Sequence, residues 1–154
     1  MMAGAQQAEE PHVRRLLIAA RAGLEPWEST PPDRLAVVAR QCGAAEVAEA
    51  VAEMDILSRA RAEVPDWDGD AHEGIGSAQE VWTRILGQVD GALLDDVAAG
   101  LKIAEATETR RWLVLAIELH GEPGISRLWA AREDELDEDV RRTMDEALAR
   151  LLDT

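Results

Sequence analysis

The chain contains no Phe, no Tyr and no Asn, one Cys and one Lys. β-rich folds draw on aromatic and β-branched residues for their half-buried faces, whereas the Ala, Leu, Glu and Arg that abound here favour helix. The composition therefore predicts an all-α protein. A lone cysteine, Cys42, can form neither an intramolecular disulfide nor a thiolate-rich metal site, and nothing argues for an oxidising compartment. Positive charge is scarce as well: 16 Lys and Arg stand against 31 Asp and Glu, a formal net charge of −15. Such a chain is repelled by phosphate backbones and anionic lipid surfaces unless a basic patch intervenes, and its basic residues are scattered with no run longer than Arg-Arg. Nucleic-acid and membrane partners are disfavoured on that ground. No stretch approaches the roughly 20 apolar residues that span a bilayer, and Met1 to Glu10 lacks the basic and apolar regions of a signal peptide. A soluble, cytoplasmic protein is the expectation.

Apolar mass, by contrast, is ample. With 154 residues, 47% hydrophobic and 31% charged, the chain can bury a core without metals or disulfides. One domain over residues 1–154 is expected, with the order of residues 1–10 left open. Hydrophobic spacing then marks out helices. Val13, Leu16, Leu17 and Ala20 form one stripe that ends at Gly23; Leu35, Val38, Ala39 and Cys42 form a second that ends at Gly43. Val47, Ala48, Val51 and Met54 follow on a longer helix that Pro65 stops. Ser77 reads as an N-cap with Glu80 in capping-box position, opening a helix through Ala78, Val81, Trp82, Ile85, Leu86 and Val89. Four more stripes run from Leu93 to Leu101, Trp112 to His120, Ile125 to Trp129 and Val140 to Leu151, so about eight helices and no strand are predicted. Residues 64–77 are read as an acidic loop between helices. Trp82, Trp112 and Trp129 sit among apolar residues at helical spacing and are assigned to the core, which is also favoured for Trp27.

The second half repeats itself. Val140, Arg141, Arg142, Met144, Ala147, Leu148 and Leu151 match Thr109, Arg110, Arg111, Leu113, Ala116, Ile117 and His120 at an offset of 31 residues, each set preceded by an acid, Asp139 or Glu108. Another step of 31 lands on Ala78, Trp82, Ile85, Leu86 and Val89, and a third on Val47, Val51 and Met54, without the Arg. In between, Leu94 and Val97 match Ile125 and Leu128. Periods of this size signal stacked helical pairs, each of which buries its apolar face only against its neighbours.

The pattern acid-x-Arg-x-x-apolar-x-x-Ala-apolar-x-x-apolar, in Asp139 to Leu151 and again from Glu108, resembles the second helix of HEAT-like repeats of the short bacterial kind known from phycobilisome lyases. The resemblance is strongest over residues 77–152. It implies an α-solenoid, a compact right-handed superhelix of helical pairs, in which Glu108, Arg110, Asp139 and Arg141 form an inter-repeat ladder. It also implies a protein-binding scaffold, the commonest role among such proteins, although a few are lyases and some bind DNA through basic surfaces.

Residues able to carry chemistry are few. Asp66, Asp68 and Asp70 alternate as in the opening of a calcium loop, but Ala71 stands where the turn glycine belongs and Ser77 where the bidentate Glu belongs. A solvated acidic loop is favoured over a cation site. Within it, Trp67 is either a contact residue for a basic partner or a side chain folded back onto the core. His12, His72 and His120 lie in separate segments without metal-ligand spacing, Cys42 has no partnered base, and Gly74-Ile75-Gly76 is too short for a phosphate loop. His120 is read as a helix C-terminal residue suited to the dipole. No catalytic residue, metal ligand or cofactor is assigned. Glu133 to Asp139 reads as a solvated turn leading into the last helix.

These observations favour a non-catalytic interaction module, such as an immunity, adaptor or regulatory protein, that binds a basic protein through an acidic surface. The candidate contacts are Trp67, Asp66, Asp68, Asp70 and Glu73, with Glu133, Asp134 and Glu135 as a second patch. Two alternatives stand beside it: an acidic DNA mimic that occupies a basic groove, and a small lyase or metal-dependent enzyme that uses the acidic loop.

Overall fold

The computed structural model describes residues 35–36 and 39–153, and over these the chain is helical without a strand. Six helices follow one another: α1 (Ala44–Glu63), α2 (Gly69–Leu86), α3 (Leu94–Ile103) entered through a 3-10 turn at Gly91–Leu93, α4 (Thr107–Leu119), α5 (Glu122–Asp134) and α6 (Glu138–Leu152). They correspond to the last six of the predicted series. The first, over Val13 to Ala20, lies outside the described residues. Of the second, Leu35, Ala36, Ala39 and Arg40 are helical, with Leu35 and Ala39 in the core, and Cys42 lies past the helical residues, partly buried against the core.

Local chemistry sets the boundaries. The Gly43 N–H is taken by Glu46 Oε1 at 2.7 Å, which opens α1, and Val64 before Pro65 leaves the helical region and closes it. Asp68 caps α2 by accepting from Ala71 N at 3.2 Å. This corrects the predicted loop over 64–77: the turn ends at Asp68, Asp70 to Ser77 are helical, and Ser77 is not an N-cap. A cap nine residues upstream, with Asp70 in the first turn against the helix dipole, outcompetes the Ser77 signal and outweighs the helix-weakening Gly74 and Gly76.

Successive helices pair as α1–α2, α3–α4 and α5–α6, while α1, α3 and α5 lie side by side in one row and α2, α4 and α6 in another. The 31-residue spacing is the spacing within the second row, and burial follows it position by position. Ala78, Thr109 and Val140 are all buried; so are Trp82, Leu113 and Met144, then Ile85, Ala116 and Ala147, then Leu86, Ile117 and Leu148. Val47, Val51 and Met54 are buried too, but they belong to α1 in the first row. Where α5 meets α4 the backbones nearly touch. A Cβ on Gly124 would lie 2.5 Å from the Ile117 carbonyl oxygen, and Gly121, with φ of +76°, makes the left-handed turn that delivers α5 to that contact.

Trp82 is fully buried and Trp112 packs partly against the core, but Trp129 is half-exposed. On α5 the neighbouring Leu128 takes the inward position, and the next residue, rotated by about 100°, faces out. No helix among the described residues is long and apolar enough to cross a membrane.

Candidate partner-binding step

The three hairpins differ in height. Asp55, inside α1, accepts from the N–H groups of Glu105 (2.9 Å) and Ala106 (3.2 Å), which sets it level with the turn between α3 and α4. From there α1 continues to Glu63, with Ser58, Arg59 and Arg61 still in contact with residues 105–109. α2 agrees: its residue equivalent to Thr107 is Gly76, and it begins seven residues earlier, at Gly69. By that equivalence α2 starts about two helical turns before the positions at which α4 and α6 start, so the end of the first hairpin projects past theirs. The turns 104–106 and 135–137 form a floor beside it, joined to each other by Thr107 Oγ1 donating to Asp137 Oδ2 at 2.8 Å and by the Arg110–Glu135 ion pair. The geometry is that of a step, with the first hairpin as wall.

A polar seam fixes the wall to the floor. Ser58 and Thr109 share a hydrogen bond of 2.7 Å, Gln79 Nε2 donates to Ser58 Oγ at 3.1 Å, and Arg61 donates to Gln79 Oε1 (3.1 Å) and Glu108 Oε1 (2.7 Å). Ser58, Gln79 and Thr109 are buried, and because all three are hydrogen-bonded they avoid the cost of a stranded polar group and join α1, α2 and α4 in one arrangement. Arg59 pairs with Glu105 at the foot of the wall.

The anticipated ladder residues take different partners. Glu108 pairs with Arg61, Arg110 with Glu135, and Asp139 with Arg142 of its own helix at 3.5 Å. Asp139 and Arg141 are exposed on α6, whose main packing partners among the described residues are α4 and α5. Three further bonds between successive pairs share one spacing: Arg127–Asp95 (3.0 Å) between α5 and α3, and Arg150–Glu118 (2.7 Å) and Arg111–Thr143 (3.0 Å) between α6 and α4. All three span 32 residues, one helical position off the apolar repeat.

The acids predicted to meet a partner fall into two groups. Asp66, Asp70 and Glu73 are exposed at the tip of the wall and form no ion pair among the described residues, while Asp68 is partly used as the α2 cap. Trp67 projects from this tip with 84% of its surface exposed, so it does not fold back onto the core. On the floor, Glu133 and Asp134 are exposed, but Glu135 is buried and occupied by Arg110 and by the Asp137 N–H at 3.1 Å. Glu135 is therefore structural, not a contact.

The structure adds residues that the patterning did not single out. Ile103, 68% exposed, and Leu136, 92% exposed, stand on the floor beside the acids. A notch of about 310 Å³ is lined by Ala98, Leu101, Lys102, Ala104, Arg110, Ala131, Asp134 and Glu135. The Arg110 Nε in its wall is buried and has no hydrogen-bond partner. Leu136 had a legible signal, since it is an isolated leucine in an unbroken acidic stretch; Ile103 had none, because it looks like the end of an apolar stripe.

Elsewhere the chemistry is quiet. Burial, with the Glu46 carboxylate adding to it, pushes the Cys42 thiol up to about 11, so it is protonated at neutral pH. His120 is the α4 C-cap and its Nε2 donates to the Leu86 carbonyl at 2.9 Å, serving the C-terminal end of the neighbouring α2. Among the described residues no three His, Cys, Asp or Glu side chains gather as a metal site. Compared with protein-family models, curated proteins and solved structures, the chain matches none of them.

Proposed function

We propose that this protein is a non-catalytic interaction module, an α-solenoid of HEAT-like helical pairs, that binds a basic protein through the acidic step. One observation carries the proposal: an almost fully exposed tryptophan stands at a projecting tip among the exposed carboxylates of Asp66, Asp70 and Glu73, which form no ion pair among the described residues. Trp buries a large surface at low entropic cost when a partner covers it, and unpaired acids around it accelerate encounter with a cation-rich surface. Immunity proteins against basic toxins, adaptors and regulatory subunits all fit this description. The raised Cys42 pKa and the structural use of Glu135 and Asp68 support a binding role over a catalytic one.

A DNA mimic would need carboxylates in rows at phosphate spacing. Trp67, Ile103 and Leu136 interrupt the acids, which favours a partner that brings apolar side chains as well. The test is capture of basic proteins on the immobilised chain at low and moderate salt, beside Trp67→Ala. Capture should fall with salt and fall again in the variant, with no change in melting temperature. Capture indifferent to both would overturn the proposal.

A further inference from the structure

The three helices of the second row begin differently. The first two turns of α4 hold Thr109, Leu113 and Val114 in the core, and those of α6 hold Val140, Thr143 and Met144. In α2 the same stretch, residues 69–76, buries nothing, and none of residues 62–77 is buried. Among the described residues no side-chain hydrogen bond or ion pair ties residues 62–75 to another part of the chain; the one side-chain bond there, from Ala71 N to Asp68, is internal. Gly74 and Gly76 weaken the helix further.

The packed part of the hairpin has a sharp edge. Ile75, partly buried, is the one side chain of this stretch that packs against the core. Next to it Arg61, held by Gln79 Oε1 and Glu108 Oε1, lays its guanidinium against Gly76, 3.4 Å from where a Cβ would stand. From Pro65 to Gly74 the chain relies mainly on its own backbone bonds and the Asp68 cap. Segments with few buried contacts open locally at a fraction of the cost of global unfolding.

We propose that residues 65–74 form a strap that opens and closes as one unit, hinged at Gly76, while α2 from Ala78 onward stays folded. Opening carries Trp67, Asp66, Asp70 and Glu73 away together on a loop anchored at both ends. On the interaction-module reading above, on which this use of the strap rests, the surface offered to the partner is presented by a moving element.

The test is hydrogen exchange on the full chain, read at the first five hydrogen-bonded amides of each helix in the row: 72–76 in α2, 110–114 in α4 and 141–145 in α6. Corrected for intrinsic rates, the five α2 amides should share one protection factor, about tenfold or more below the other two sets. Protection equal to those sets overturns the strap. A gradient rising steadily from 72 to 76 overturns it too, because that is the fraying of a helix end and not the opening of a unit. Gly74→Ala adds a Cβ that meets nothing within 4 Å and should slow exchange at 72–76 about fivefold; no slowing overturns the proposal. Ile117→Val, a small truncation in the core, should speed exchange at 82–86 about fivefold and leave 72–76 unchanged. Equal acceleration at 72–76 would mean that the strap opens only with the whole molecule, and overturns it. Exchange is measured on the chain alone, so it decides the strap whether or not basic proteins are captured.

Discussion

The turns 104–106 and 135–137 occupy the same place in the 31-residue repeat, with Ala104 matching Glu135, Glu105 matching Leu136 and Ala106 matching Asp137. The helices they begin are capped by opposite means. Asp137 caps α6 itself, accepting from Asp139 N at 2.8 Å and Val140 N at 3.2 Å, with Glu135 covering the Asp137 N–H. Ala106 has no side chain to offer, and Asp55 reaches across from α1 to accept from the turn that starts α4. The same repeat position is served locally in one case and from 50 residues away in the other. The distant cap also ties the first hairpin to the floor, so one carboxylate both starts a helix and joins two hairpins.

The largest way to break this comparison is Glu135→Ala, which strips Arg110 of its carboxylate and uncovers the Asp137 N–H. A loss of about 2–4 kcal/mol is expected in denaturant unfolding, less than for a fully buried pair because the Arg110 side chain remains 21% exposed. A loss below about 0.5 kcal/mol would show that the pair is idle. Asp55→Ala comes next, at about 1–3 kcal/mol, since it leaves two N–H groups without their acceptor. Adding Ala106→Asp in that background converts the α4 turn to the local scheme of α6 and should restore about 1 kcal/mol. No recovery would mean that the distant cap holds the turn for more than its hydrogen bonds.

The third prediction concerns acid. The hydroxyl of Thr107, and after it the backbone N–H of Val140, hold the Asp137 carboxyl below its usual range. A depressed native pKa contributes stability that is complete above the unfolded value near ~4 and is lost as pH falls through the lower native value. Asp137→Asn keeps a capping oxygen but cannot titrate, so its stability should fall less steeply than that of the natural chain below about pH 4. Parallel acid profiles would remove Asp137 from the account. The smallest effect is assigned to Glu105→Ala, whose ion pair with Arg59 is exposed on both sides and should be worth no more than about 0.5 kcal/mol.

Much of the fold was legible in the pattern, because apolar residues every three or four positions declare which face of each helix is buried. The matched set Trp82, Leu113 and Met144 is the clearest case. Trp129 misled because it adjoins Leu128, and both fit a stripe only one of them can occupy. The α2 start misled because Ser77 and Glu80 imitate a capping box in the middle of a longer helix. Of the candidate site, Trp67 and its flanking acids were legible as a polar tract holding one aromatic, but Glu135 was indistinguishable in sequence from the exposed acids beside it. Its burial depends on Arg110, 25 residues earlier, pointing to the same spot.

Composition and periodicity by themselves determined an all-helical chain, the buried stripe of each helix and the 31-residue spacing of the second row, because these follow from local propensity and from each helix needing one covered face. The tertiary structure alone decided which carboxylates are consumed as caps and ion pairs, which remain exposed, and how far the first hairpin rises above its neighbours. Those outcomes turn on hydrogen bonds such as Asp55 to Glu105 and Arg61 to Glu108, between residues about fifty positions apart, whose meeting no local pattern encodes.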